Sequence, residues 1–111
     1  MKISFIVALL AAALVVFAQQ PMPRMTSVEP PNGKSGAVLT VAGENLEKNQ
    51  VAKVYLTDGK NDTLVEITEQ TATALKFKIP EKASTGRFAL MLLTAGKEPK
   101  LIEQPVKVTV E

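Results

Sequence analysis

The sequence predicts an all-β fold, a sandwich of two sheets built from about seven short strands. Apolar and polar residues alternate in short runs, most regularly where Leu75, Phe77 and Ile79 are separated by Lys76 and Lys78. This period of two predicts a strand with one buried and one solvated face. Turn-forming residues interrupt such runs roughly every 8–12 positions, as in sandwiches, and no stretch of helical period is long enough to matter.

The first eighteen residues form a separate unit. Lys2 gives a positive start, residues 3–18 are apolar except for Ser4, and the run ends at the small residue Ala18. This pattern predicts a secretory signal peptide, a short helix that precedes the domain and is cleaved after Ala18. The alternative is an uncleaved membrane anchor, although the apolar run is shorter than the roughly 20 residues that span a bilayer. No other segment is expected to touch a membrane.

The remaining 93 of the 111 residues suffice for one small domain. Residues 19–25 carry two prolines and are expected to form a flexible leader. We expect the domain to occupy residues 26–111. Its first strand, at 26–29, ends at Pro30.

The later strands follow from the same alternation between turn residues. A loop with two glycines leads to the second strand, which stops at Gly43, and an Asp/Asn/Gly-rich turn at 58–62 follows the third. Pro80 ends the fifth strand, and Pro105 suits the first residue of the last strand or a bulge. The predicted strands after the first lie at about 38–42, 51–57, 64–68, 74–79, 87–94 and 106–110.

The order of these turns and strands resembles an IPT/TIG domain, a family with an immunoglobulin-like fold. The residues that carry the resemblance are Val28, Pro30, Gly33, Gly36, Leu39, Thr40, Val41, Gly43, Asn45, Leu46, Leu75, Phe77, Ile79, Pro80, Gly86, Phe88, Val106, Val108 and Val110. Leu46 stands where an aromatic residue is common. The resemblance covers about residues 25–111 and implies a spacer, adhesive or interaction module that is not itself catalytic.

Composition excludes several classes of function. The chain has no His and no Cys, so the usual general base, metal ligand and thiol nucleophile are missing. We therefore expect no enzyme, no catalytic residue, no cofactor and no metal site. Without Lys2, 12 basic residues face 11 acidic ones, and the alternating Lys and Glu form no basic face for nucleic acid. Calcium at the Asp58–Asp62 turn is left open, but Lys60 would repel it, and a plain hairpin turn explains the residues better.

One predicted strand, at 87–94, is apolar on both faces. If Phe88, Leu90 and Leu92 face the core, then Ala89, Met91 and Leu93 face outward. In an immunoglobulin-like sandwich this strand lies between the third and the last. The candidate interaction face is therefore Lys53, Tyr55, Ala89, Met91, Leu93 and Lys107. The simpler alternative is that a central strand tolerates scattered apolar residues partly covered by lysine stems.

These observations predict a non-catalytic binding or structural module outside the cytoplasm, in the periplasm, at the cell surface or secreted. It would act through contact with a protein partner or by self-association. An accessory carbohydrate-binding module of the cell envelope is the alternative. It is less favoured, because sugar sites use exposed aromatic rings. Phe77 and Phe88 are expected to face inward, which leaves Tyr55 as the one ring on the surface.

Overall fold

The computed structural model describes residues 22–111, and every regular element in that range is a β-strand. The predicted signal peptide and residues 19–21 lie outside the described residues. The strands are β1 (Arg24–Glu29), β2 (Asn32–Gly33), β3 (Val38–Glu44), β4 (Val51–Thr57), β5 (Asp62–Leu64), β6 (Glu66–Gln70), β7 (Ala74–Lys78), β8 (Gly86–Thr94) and β9 (Leu101–Val110). A helix long and apolar enough to cross a membrane is not found in residues 22–111.

The strands form the predicted two-sheet sandwich. One sheet has the order β1-β3-β7-β6 and the other the order β2-β9-β8-β4-β5. All pairings are antiparallel except the short parallel pair of β2 and β9. The two-sided apolar strand β8 lies between β4 and β9, as predicted.

The core lies between the two sheets and takes one face of each. Every side chain predicted to point inward on the central strands is buried, and Leu46 is buried at the position where the family favours an aromatic residue. The largest fully buried side chains are Phe77, Met25, Leu39, Leu46, Leu56, Leu75, Ile79, Leu90 and Leu92. Removing this apolar surface from water supplies the main force that holds the sheets together.

The chain has two more strands than predicted because two of its crossings between the sheets fall in segments predicted as a loop and as a single strand. The first of these crossings follows β1, at Pro30 and Pro31. Neither proline has an N–H for the sheet ladder, so β1 ends there. Residues predicted to form a loop then pair with β9, where Thr109 N–H donates to Pro31 O over 3.0 Å and Glu111 N–H donates to Gly33 O over 2.9 Å.

The second of these crossings divides the strand predicted at 64–68. Its first part is β5, which pairs with β4, and its second part is β6, which pairs with β7. Val65 lies between them, is buried in the core, and donates its N–H to Val54 O over 3.1 Å. The consecutive apolar residues Leu64 and Val65 therefore mark a crossing between sheets and not one continuous strand.

The first and the last strand begin earlier than predicted. β9 begins at Leu101 because Pro105 lies in a bulge, where its missing N–H interrupts no ladder bond. β1 begins at Arg24, and Met25, assigned to the leader, is buried in the core. The sandwich therefore includes the last two residues of the predicted leader.

Gly43 does not end its strand, since β3 continues to Glu44. It lies opposite Met25, beside a bulge in β1, and a Cβ atom there would overlap the carbonyl oxygen of Arg24. Asn45 follows in the left-handed conformation, with φ of 56°, and its Nδ2 donates to Met22 O over 3.1 Å. Asn tolerates this conformation better than most residues, which explains the Gly-x-Asn pattern.

Two glutamine side chains join the sheets at their open edges. Gln104 on β9 is only 5% exposed, and its Oε1 accepts the backbone N–H of Met25 on β1 over 2.7 Å. Gln70 on β6 donates its Nε2 to the carbonyl oxygens of Leu46 and Val51 over 2.8 and 2.9 Å. Each edge of the sandwich therefore has side-chain hydrogen bonds that join the two sheets. The chain has no cysteine, so no disulfide can join them.

Replacing Gly43 by Ala should lower the free energy of unfolding by about 2 kcal/mol, because β1 or β3 must shift to admit the methyl group. Urea denaturation measures the change. Gly59→Asn is the matched control, since no atom lies within 4 Å of a Cβ there and Asn tolerates positive φ. Equal stability of Gly43→Ala and the parent chain would contradict the close approach of β1.

Replacing Gln104 by Met should lower the free energy of unfolding by about 1–3 kcal/mol, because the buried N–H of Met25 loses its acceptor while side-chain volume is nearly kept. Gln50→Met is the control, at a partly exposed glutamine, and should change stability by about 0.5 kcal/mol or less. Thermal unfolding of both variants provides the comparison. A Gln104→Met protein no less stable than the control would show that this bond does not hold β1 to β9.

Candidate functional site

The outer face of the five-stranded sheet brings the predicted site residues together. Tyr55 on β4 lies directly opposite Met91 on β8, and Lys53 lies opposite Leu93. Lys107 on β9 lies opposite Ala89. Residues directly opposite one another point to the same side of a sheet. All six predicted residues therefore share one face.

Their exposure differs from the prediction at one position. Ala89 is only 6% exposed, so it adds little accessible surface. It lies at the base of a shallow depression of about 280 Å³, whose walls include Asp58, Arg87 and Lys107. Tyr55, Met91 and Leu93 are partly exposed, and both lysines are exposed. The accessible apolar part of the face thus begins at Met91 and not at Ala89.

Two leucines that the sequence did not single out extend this surface. Leu64 on β5 lies opposite Tyr55 and is 47% exposed, and Leu101 on β9 lies opposite Leu93 and is 56% exposed. The sequence predicted Leu64 at the start of the 64–68 strand and placed Leu101 in no strand. We call Tyr55, Leu64, Met91, Leu93 and Leu101 the apolar stripe. It crosses four neighbouring strands.

Charged residues flank the apolar stripe. Lys53 lies beside Leu93 on the β4 side, and Glu103 lies beside Met91 on the β9 side. Neither makes an ion pair within residues 22–111, where the one ion pair joins Lys76 and Glu69 over 3.1 Å on the other sheet. An exposed apolar area with a charged rim is typical of an interaction surface.

A larger groove lies at the sandwich edge between β4 and β6, with a volume of about 700 Å³. Most of its polar side chains have partners within residues 22–111, with Lys48 as the exception. Gln70 bonds two backbone carbonyls, and Glu69 pairs with Lys76. The remaining lining includes the apolar residues Val51 and Ile67. The groove therefore offers a ligand few free polar groups to fix its orientation.

The Asp58–Asp62 turn is organised around one carboxylate oxygen. Asp58 Oδ1 accepts the backbone N–H groups of Asn61, over 2.7 Å, and of Lys60, over 2.8 Å. These two hydrogen bonds to the ionised form lower the pKa of Asp58 below its usual value near 3.8. The arrangement is that of a hairpin turn between β4 and β5.

The described residues offer little for metal chemistry. No group of three or more Asp, Glu, His or Cys side chains within residues 22–111 is placed to hold a metal ion.

The strand order and the packing of the two sheets define an immunoglobulin-like β-sandwich, with β1-β3-β7-β6 facing a sheet built around β9-β8-β4. The family model of the IPT/TIG domain matches residues 23–110, and the chain belongs to this family. The resemblance seen in the sequence is thereby confirmed. No curated protein matches the chain in a sequence comparison.

Several solved structures from Bacteroides share the fold. A protein of unknown function from Bacteroides thetaiotaomicron matches with a TM-score of 0.69 and 21% identity, over 83% of this chain and 22% of that one. An auxiliary nutrient binding protein from Bacteroides ovatus matches with a TM-score of 0.59 and 20% identity, over 83% of this chain and 21% of that one.

A third match is SGBP-B of the Bacteroides ovatus mixed-linkage glucan utilization locus, in complex with a mixed-linkage heptasaccharide. Its TM-score is 0.51 and its identity 20%, over 73% of this chain and 21% of that one. The chain thus spans about a fifth of the length of the solved structures that it matches.

The conformational stability of the β4–β5 turn should depend on pH through the ionisation of Asp58. Because the folded pKa is lowered, the ionised carboxylate stabilises the turn above the usual pKa near 3.8, and this contribution is lost as pH falls through the lowered value. NMR should show the amide resonances of Lys60 and Asn61 shifting together in this acid range. Asp58→Asn keeps an acceptor that does not titrate, so the same shifts in that variant would contradict the assignment.

Proposed function

We propose that this chain is a non-catalytic module outside the cytoplasm that binds a protein partner through the outer face of its five-stranded sheet. The apolar stripe is the observation that carries the proposal. Leu64 and Leu101 are about half exposed, and they stand at the two sides of Tyr55, Met91 and Leu93 on adjoining strands. Covering these side chains removes apolar area from water, which favours association.

The chemistry of the chain supports a role in contact and not in catalysis. The sequence contains neither His nor Cys. The carboxylate of Asp58 is engaged in a turn, and that of Glu69 in an ion pair. The N-terminal pattern of Lys2, an apolar run and Ala18 supports export.

A carbohydrate-binding accessory module is the second candidate. The nutrient-binding and heptasaccharide-bound proteins from Bacteroides ovatus share the fold and favour it. Against it, Phe77 and Phe88 are buried, so Tyr55 is the one accessible aromatic ring in residues 22–111. A single ring is a small platform for a sugar. The chain also corresponds to about a fifth of those proteins, so it would match only one part of them.

Photo-crosslinking in the native cell tests the proposal. Leu64 and Val38 are almost equally exposed, at 47% and 48%, but Val38 lies on the other sheet. We expect Leu64→p-benzoylphenylalanine to form a crosslink to protein on irradiation, and Val38→p-benzoylphenylalanine to form none. Equal crosslinking at both positions, or none at Leu64, would overturn the contact face.

The second candidate has its own assay. Affinity electrophoresis in gels with and without mixed-linkage glucan measures retention of the purified domain. Retardation that Tyr55→Ala abolishes, without a protein crosslink at Leu64, would favour the carbohydrate-binding module over the protein contact.

Removing the exposed apolar surface should weaken the contact without unfolding the domain. In Met91→Ser/Leu93→Ser, we expect the crosslink from Leu64 to fall at least about tenfold, since the centre of the apolar stripe is lost. Val38→Ser/Ala42→Ser changes two exposed residues of the other sheet and should leave the crosslink unchanged. Circular dichroism should show melting temperatures within about 5 °C of the parent chain. An undiminished crosslink in the folded Met91→Ser/Leu93→Ser chain would contradict the proposal.

A further inference from the structure

We infer that the partner of this face is a second copy of the same chain, turned by a two-fold axis. The inference rests on the proposed function, because it names the occupant of the same surface. Two features of the face point to self-association: the apolar stripe crosses four strands, and the two charges directly beside Met91 and Leu93, Glu103 on β9 and Lys53 on β4, have opposite sign.

The charges lie at diagonally related positions. Met91 and Leu93 are successive outward residues of β8. Lys53 lies next to Leu93 on β4, and Glu103 lies next to Met91 on β9. A basic group on one side and an acidic group on the other, one step apart along the strand, make a pattern that complements itself after a two-fold rotation.

The rotation can be specified from the strand register. Its axis lies in the plane of the contact, passes between Met91 and Leu93, and runs obliquely to β8. Each Lys53 then meets Glu103 of the second copy, which gives two symmetric ion pairs. The apolar residues follow the same operation, with Met91 against Tyr55 of the second copy and Leu93 against Leu101. The facing strands cross at a large angle, one of the two usual ways in which sheets pack.

The size of the face sets the strength of the contact. Four strands about 4.8 Å apart and two rows of side chains about 7 Å apart give about 270 Å² per copy. Stable interfaces bury about 800 Å² per partner, so the dimer should be weak and depend on concentration. The ion pairs lie at the rim, where they contribute mainly to orientation and specificity.

Sedimentation velocity of the purified domain, from about 5 μM to 1 mM, tests the inference. We expect a monomer at the low end and a growing dimer fraction towards the high end. Lys53→Glu and Glu103→Lys should each raise the dissociation constant about tenfold or more, because each sets like charges against one another. Lys34→Glu, an exposed charge reversal in the β2–β3 loop, should leave dimerisation unchanged.

Mixing the two reversed chains gives the sharper test. The Lys53→Glu chain carries two acids at these positions and the Glu103→Lys chain two bases, so a mixed dimer regains both ion pairs. We expect the mixture to dimerise with about the affinity of the parent chain, although neither variant does so alone. A parent chain that stays monomeric at 1 mM, or a mixture that stays monomeric, would overturn the inference.

Different results would overturn the proposed contact face and the inferred second copy. A crosslink from Leu64 to a different protein, together with a monomeric purified chain, would overturn the second copy and leave the contact face in place. A crosslinked product of twice the chain mass supports both. Absence of both crosslink and dimer would overturn both.

Discussion

The structure depends on joining two sheets in a small domain that has no cysteine. Apolar burial brings the sheets together, but it does not fix how their edges meet, because hydrophobic contact has no direction. The glutamine bonds supply that direction: Gln104 joins β9 to β1, and Gln70 joins β6 to the start of β4. Each bond is made inside or beside the core, where an unpaired amide would be costly, so each favours a single arrangement of the sheets.

The connections between the two sheets also explain how the outer face of the five-stranded sheet acquires its apolar residues. Where the chain crosses from one sheet to the other, the alternation of buried and solvated positions is interrupted. At the crossing through Val65, one of two consecutive apolar residues enters the core and Leu64 is left outside, next to Tyr55. On β9, the bulge at Pro105 lets the strand extend back to Leu101, which adds a second exposed leucine beside Leu93. The apolar stripe is thus a consequence of where the chain changes sheet and where its ladder is interrupted.

The sequence predicted the features that depend on the two-residue period of a strand. It missed those that depend on contacts between residues far apart in the chain. Alternation alone placed Leu75, Phe77 and Ile79 in the core, and together with the strand order of an immunoglobulin-like sandwich it placed Tyr55 on the outer face beside the 87–94 strand. It could not show that Met25 belongs to the core, because its burial is set by pairing with Gly43, far along the chain. It also gave no sign of Gln104, since a glutamine that bonds a distant backbone N–H looks like any surface glutamine. Leu101 was missed because a proline can mark either the end of a strand or a bulge within it. Leu64 was missed because two consecutive apolar residues fit one continuous strand as well as a crossing between sheets.

A domain of this kind can evolve a binding surface only where its core does not constrain the side chains. The inner face of β8 is buried in the core, while the outer residues Met91 and Leu93 are partly exposed between β4 and β9. An apolar residue at such a position contributes a cross-strand contact to the sheet but exposes area to water, and the proposed partner would cover that area. The charges of Lys53 and Glu103 restrict which partner can cover the apolar stripe. A partner of a single charge would suit one of them and repel the other, whereas a surface that repeats both charges in rotated order suits both at once. The proposed second copy would meet that condition through its own Lys53 and Glu103.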